Sequence, residues 1–270
     1  MDSVASRVAS SLVEVLQLDF DEVSLEVHRY ARTGPLVCML PGLGGGVRRF
    51  SDLAERLAQS GMQPVAINPR GAGSSTGPLA NLRMRDLAND VALVIQRLGS
   101  PAFVIGNAFG NRVARYLASD RPDLVTAVIL VCAGGEVPPD PQATAAMLKF
   151  LDESLSQDER LEAASQAFYS PGHGAGTAFI DPGRTAIASS SQIAATGAEE
   201  NDNWLAGGSA PMLVVQGTED KIAPPENGHR LQARWPDRVE VIDIPQAAHA
   251  VLSEQPEAVA QAVIEYIGRF

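Results

Sequence analysis

The chain has 270 residues, 45% hydrophobic and 20% charged, with a mean hydropathy of zero. This is the composition of a soluble globular protein with enough apolar residues for a large core. Its formal net charge of −11 and pI near 4.8 argue against a nucleic-acid partner and disfavour an anionic membrane surface, and Arg48-Arg49 is a pair rather than a basic cluster.

The first twenty residues lack a basic stretch followed by an uninterrupted apolar one, so no signal peptide is expected. No apolar run is long enough to predict a membrane helix, and a cytoplasmic location is expected. Cys38 and Cys132 both lie in apolar runs and read as reduced core residues. The cysteines and the four histidines do not stand at ligand spacing, so neither a metal nor a cofactor is expected.

In chain order, residues 2–17 carry valines and leucines at helical spacing and predict an amphipathic helix. Val23–His28 alternates and predicts a half-exposed strand. Pro35–Leu40 is a short apolar run, as in a strand buried on both faces. It ends in the glycine-rich loop Pro41–Gly46. A helix is predicted over 48–60, a strand at Pro64–Ile67, a turn at Asn68–Ser75 and a helix over 82–98. The strand Ala102–Ile105, a helix over 109–119 and a strand over 124–132 follow.

From 136 to 210 the pattern changes. This stretch is rich in Pro, Gly, Ala and Ser, has a helical piece near 141–168 and lacks a buried-strand run. The rhythm resumes with Pro211–Gln216, a helix over 225–234, the strand Val239–Ile242 and a closing helix over 256–268. Apolar strands alternating with amphipathic helices predict an α/β fold, with a mostly parallel central sheet and helices on both faces. Residues 1–135 and 211–270 would form its core, and 136–210 a lid or cap insertion over the C-terminal strand ends.

The most informative stretch is Val104–Ala114, where a strand runs into Gly106-Asn107-Ala108-Phe109-Gly110 and on into a helix. In a nucleophile elbow, Gly-x-Ser-x-Gly, the glycines let strand and helix pack closely around a strained serine held above the sheet. Both glycines are here, and alanine occupies the serine's place. The run Gly44-Gly45-Gly46 lacks the Gly-Lys-Ser/Thr ending of a phosphate loop.

These residues resemble the α/β-hydrolase superfamily over nearly the whole chain, residues 22–270 apart from the insertion. Leu40–Gly44 sits where members carry an oxyanion loop, and Asn68–Ser75 resembles their Asp-x-Arg-Gly-x-Gly-x-Ser turn. Gly217–Pro224 resembles the loop that bears the acid. Ala248-His249-Ala250, with Glu254-Gln255-Pro256 after it, resembles the loop that bears the histidine. Pro41 and Asn68 replace the family's usual His and Asp.

The resemblance implies that Asp220 orients His249, that His249 is the general acid/base, and that the Leu43 and Phe109 N–H groups form an oxyanion hole. Ala108 holds the nucleophile position but cannot form an acyl-enzyme. Read on its residues alone, Asp220 could instead cap the helix near Pro224, and His249 could be an idle loop histidine. Gly42, Asn107, His173 and Trp204 are expected to touch a substrate. Met147, Phe150, Phe168, Tyr169, Phe179 and Trp204 suggest that it is small and mostly apolar.

Three functions fit. One is a hydrolase of an ester, thioester or lactone with alanine put in place of serine. Another is a natural serine-free lyase, isomerase or cyclase with His249 and Asp220 as base. The third is a non-catalytic ligand-binding protein. Asn107 and Asn111 also depart from the common elbow pattern, which favours a natural alanine. Oligomeric state is not legible.

Overall fold

A computed structural model describes residues 13–99, 101–180, 183, 185–197 and 203–270. They form an eight-stranded sheet from β1 (Glu14–Asp19), β2 (Ser24–Arg29), β3 (Leu36–Leu40), β4 (Gln63–Ile67), β5 (Ala102–Asn107), β6 (Val125–Val131), β7 (Met212–Gly217) and β8 (Val239–Ile244). The spatial order is β1-β2-β4-β3-β5-β6-β7-β8. Only β2 runs against its neighbours, and every pairing from β4 to β8 is parallel.

The helices are α1 (Ser51–Gln59), α2 (Met84–Leu98), α3 (Gly110–Asp120), α4 (Pro141–Leu151), α5 (Gln157–Phe168), α6 (Ala186–Gly197), α7 (Glu226–Arg234), α8 (Val251–Glu254) and α9 (Pro256–Ile267). Short 3₁₀ turns supplement them. Among the described residues no helix is long and apolar enough to cross a membrane.

The fully apolar strands split their side chains between two cores, because successive residues point to opposite faces. Cys38, Val104, Val128, Leu130 and Val214 join α2 and α3 on one side. Met39, Ile105, Ile129, Val131 and Val215 join α1 and α9 on the other. Each buried aliphatic side chain contributes about 1.5–3 kcal/mol.

One predicted element is corrected. Residues 14–17, read as the end of an amphipathic helix, lie in β1, while 2–12 fall outside the described residues. Val15 and Gln17 are exposed, whereas Leu16 and Leu18 pack against the core. That period of two, with Glu14 bonded to Arg29 on β2, settles the segment as a strand. Between β6 and β7 the single helical piece is two helices, α4 and α5, and a third, α6, was not anticipated.

Ile129, wholly buried at the centre of the sheet, pairs with Ile105 on β5 and Leu213 on β7. Ile129→Ala is expected to lower the unfolding free energy by about 2–5 kcal/mol, read from urea denaturation midpoints at constant m-value.

Candidate active site

The site forms where β5 turns into α3. Ala108 adopts φ +50°, a left-handed conformation that costs a non-glycine residue about 1–2 kcal/mol. Tight packing holds it there. A Cβ on Gly106 would lie 2.5 Å from the carbonyl of Gly110, and one on Gly110 would lie 2.3 Å from the carbonyl oxygen of Leu40. Glycine alone permits both approaches. The Ala108 N–H donates to Val131 O at 3.0 Å, and Asn111, fully buried, donates from Nδ2 to the carbonyls of Val131 and Cys132 at 2.9 and 2.8 Å.

Asp220 follows β7 and has no exposed side-chain surface. Its Oδ1 accepts from the Ile222 and Ala223 N–H groups at 2.9 and 2.8 Å. Oδ2 accepts from His249 Nδ1 at 2.8 Å and from Gln216 Nε2 at 3.2 Å. Because a carboxylate only accepts, Nδ1 carries the proton and Nε2 is left for the cavity. Asp220 does not cap the helix after Pro224, whose start has no side-chain cap; it organises its own turn and holds His249.

Glu254, buried, fixes the histidine loop. It accepts from Ala248 N at 2.8 Å, and from Ser170 N and Oγ at 2.8 and 2.7 Å. The Ala250 N–H adds a bond to Phe168 O at 2.7 Å. The loop is thereby tied to the segment between β6 and β7.

Gly42, Leu43, Asn107, Ala108, Phe109 and His249 share a cavity of about 300 Å³. Arg49, Arg112, Cys132, Met147, Phe168, Ile193 and Ile222 also line it. Neither the Leu43 nor the Phe109 N–H donates to a protein acceptor among the described residues. Phe150 and Phe179 pack against Phe168, and Tyr169 against Phe179, with ring centroids 5.3–5.5 Å apart.

Two expected contacts lie elsewhere. His173 shares a 2.9 Å hydrogen bond with Ser170 Oγ and is half exposed, outside the cavity lining. Trp204 is drawn onto α3 instead: it stacks on Tyr116 at 6.4 Å and lies under the guanidinium groups of Arg112 and Arg115, 4.7 and 4.4 Å from its ring.

Cys132 is a neighbour that the sequence did not reveal. It has φ +57°, and its thiol bonds His249 O at 3.3 Å. Its sulfur lies within 4.8 Å of ligand atoms on both Asp220 and His249. In this arrangement Nδ1 is spent on Asp220 Oδ2, so the three groups form a hydrogen-bonded cluster rather than an open set of metal donors. Cys132 and His249 stand 117 residues apart, a separation at which sequence spacing carries no signal of their contact. Burial, and next the Asp220 charge, push the thiol well above its ordinary value.

Comparisons with known proteins agree with this architecture. Residues 35–178 match the family model for the alpha/beta hydrolase fold, and residues 183–269 match the one described as TAP-like protein. The chain is 24% identical to the 2-(acetamidomethylene)succinate hydrolase of Mesorhizobium japonicum, over 98% of this chain and 99% of that one. It is 27% identical to the pimeloyl-[acyl-carrier protein] methyl ester esterase of Neisseria meningitidis, over 86% and 92%. The solved structure of E-2-(acetamidomethylene)succinate hydrolase superposes with a TM-score of 0.71 at 21% identity, covering 95% and 99%. With its elbow, acid and histidine in the order of that fold, the chain belongs to the α/β-hydrolase fold family and is an α/β-fold hydrolase with alanine at the elbow.

Proposed function

We propose that the cavity binds a small carbonyl substrate, an ester, thioester or lactone, and that His249 supported by Asp220 is its acid/base group. The observation that carries this reading is a buried, fully bonded Asp220 holding His249 on the same cavity as residue 108. The uncommitted Leu43 and Phe109 N–H groups on that cavity suit the charge that develops on a carbonyl oxygen. Relatives named as a succinate-derivative hydrolase and a methyl ester esterase support the reaction class. The segment 136–210 acts as the lid, contributing Met147, Phe168 and Ile193 to the lining. Two buried free cysteines suit a reducing cytoplasm.

Ala108 leaves no hydroxyl to attack the carbonyl. Loss of one triad member costs about 10⁴- to 10⁶-fold in rate. A second reading therefore stands beside the first: His249 activates a water or abstracts a proton directly. The intact Asp220–His249 bond behind an alanine elbow favours it, since a pure binder has no use for that pair.

Cys132 does not replace the serine, because a buried thiol held above its ordinary pKa is a poor nucleophile. Iodoacetamide at pH 8 should leave Cys132 unlabelled in the folded chain and modify it after unfolding, as read by mass spectrometry. Labelling in the folded chain would restore it as a nucleophile.

The Ala108 chain and its Ala108→Ser variant, assayed on short-chain esters and a serine-directed phosphonate, separate the readings. The first expects labelling and turnover in Ala108→Ser, both lost on adding His249→Ala. A silent Ala108→Ser variant points to serine-free chemistry at His249.

A further inference from the structure

We infer that the substrate carries a carboxylate and that Arg112, on the first turn of α3, binds it. This rests on the reading of the cavity as the substrate site. In a chain of net charge −11, the cavity is lined by two arginines, Arg49 and Arg112, and, among the described residues, by no aspartate or glutamate. Such a cavity selects for anions against the field of the surrounding protein.

The two arginines differ. Arg49 donates from Nη2 to Phe179 O at 3.1 Å and packs over the Phe179 ring at 3.6 Å, so it is committed to the aromatic cluster. Arg112 has no carboxylate or carbonyl on its guanidinium among the described residues; its contact is the Trp204 ring at 4.7 Å. A cation–π contact takes no hydrogen-bond acceptor, so it leaves the guanidinium N–H groups available to a ligand.

Arg112 is also half-buried beside a second positive charge. Arg115, one turn on and wholly buried, donates to Asn111 O at 3.2 Å and Gly134 O at 2.8 Å and lies over the same indole. Burial lowers the pKa of Arg112, and burial together with Arg112 pushes Arg115 down to about 9. A desolvated charge without a counter-ion is costly. A ligand carboxylate supplies the counter-ion and matches the fork with two parallel bonds. The remaining lining, with Leu43, Met147, Phe168, Ile193 and Ile222, suits a short apolar spacer between that carboxylate and the reacting carbonyl.

The test uses the chain as it stands, with Ala108, so that binding is measured without turnover. Monomethyl succinate, glutarate and adipate are titrated calorimetrically beside their dimethyl esters. The expected result is that at least one half-ester binds and that its diester binds about 10- to 100-fold more weakly, the range of a charged hydrogen-bonded contact. Arg112→Gln should lose the same factor, Arg112→Lys should keep part of the affinity, and the distant Arg234→Gln should keep all of it. Half-ester and diester binding alike, or no half-ester binding at all, overturns the inference, and that comparison needs no variant to fold. Arg112→Gln binding as tightly as wild type also overturns it. If Ala108→Ser proves silent toward esters while half-ester binding through Arg112 persists, the hydrolase reading alone falls. If Ala108→Ser turns over diesters as readily as half-esters, the carboxylate inference alone falls.

Discussion

Everything at the site depends on one steric constraint: the backbone of β5 and the start of α3 approach to distances that exclude a Cβ at either Gly106 or Gly110. That approach forces the residue between them into φ +50° and presents it above the sheet. The constraint does not depend on what residue 108 is, which is why an alanine occupies a conformation whose usual purpose is to display a hydroxyl. The strain is met by hydrogen bonds to neighbouring backbone carbonyls: Ala108 N–H to Val131 O, and the Asn111 side-chain Nδ2 to Val131 O and Cys132 O. Asn111 thus welds the helix start to the adjacent strand end.

A second layer of constraint is electrostatic. Asp220 spends both carboxylate oxygens on four donors, with no exposed side-chain surface, so its position is set before any ligand arrives. Desolvation of such a group is offset only by complete hydrogen bonding. The result is a histidine with one defined tautomer and one nitrogen left for chemistry.

Most of the fold was legible because it obeys simple periodicities. Each strand from β3 to β7 contains an apolar run of four or five residues, and each intervening core helix shows helical spacing. The elbow and the two catalytic-type loops could be read from short motifs with a fixed chain order. The misses have physical causes. β1 mixes valine, leucine and glutamine so that both periods fit, and only its pairing with β2 decides. The helix α6 is built mostly of Ala and Ser, whose low contrast between faces gives a weak amphipathic signal. Arg112 and Cys132 were passed over because composition reads an arginine as surface and a cysteine as core. Their significance lies in what faces them across the fold. Trp204 reads in sequence as an apolar residue of the insertion available to a ligand, whereas its indole is taken up by the guanidinium groups of α3.

The buried Glu254 has a consequence for how such a protein can diversify. One carboxylate bridges the histidine loop and Ser170, and the Ala250–Phe168 bond reinforces the bridge. The segment between β6 and β7 is therefore not a free attachment on the scaffold. Recombination that exchanged this segment with a relative's would sever the brace of the histidine unless the 168–170 backbone travelled with the host. Variation in substrate preference is thus channelled into the part of the segment away from that brace, where α4 and α6 contribute Met147, Ile193 and Thr196 to the lining.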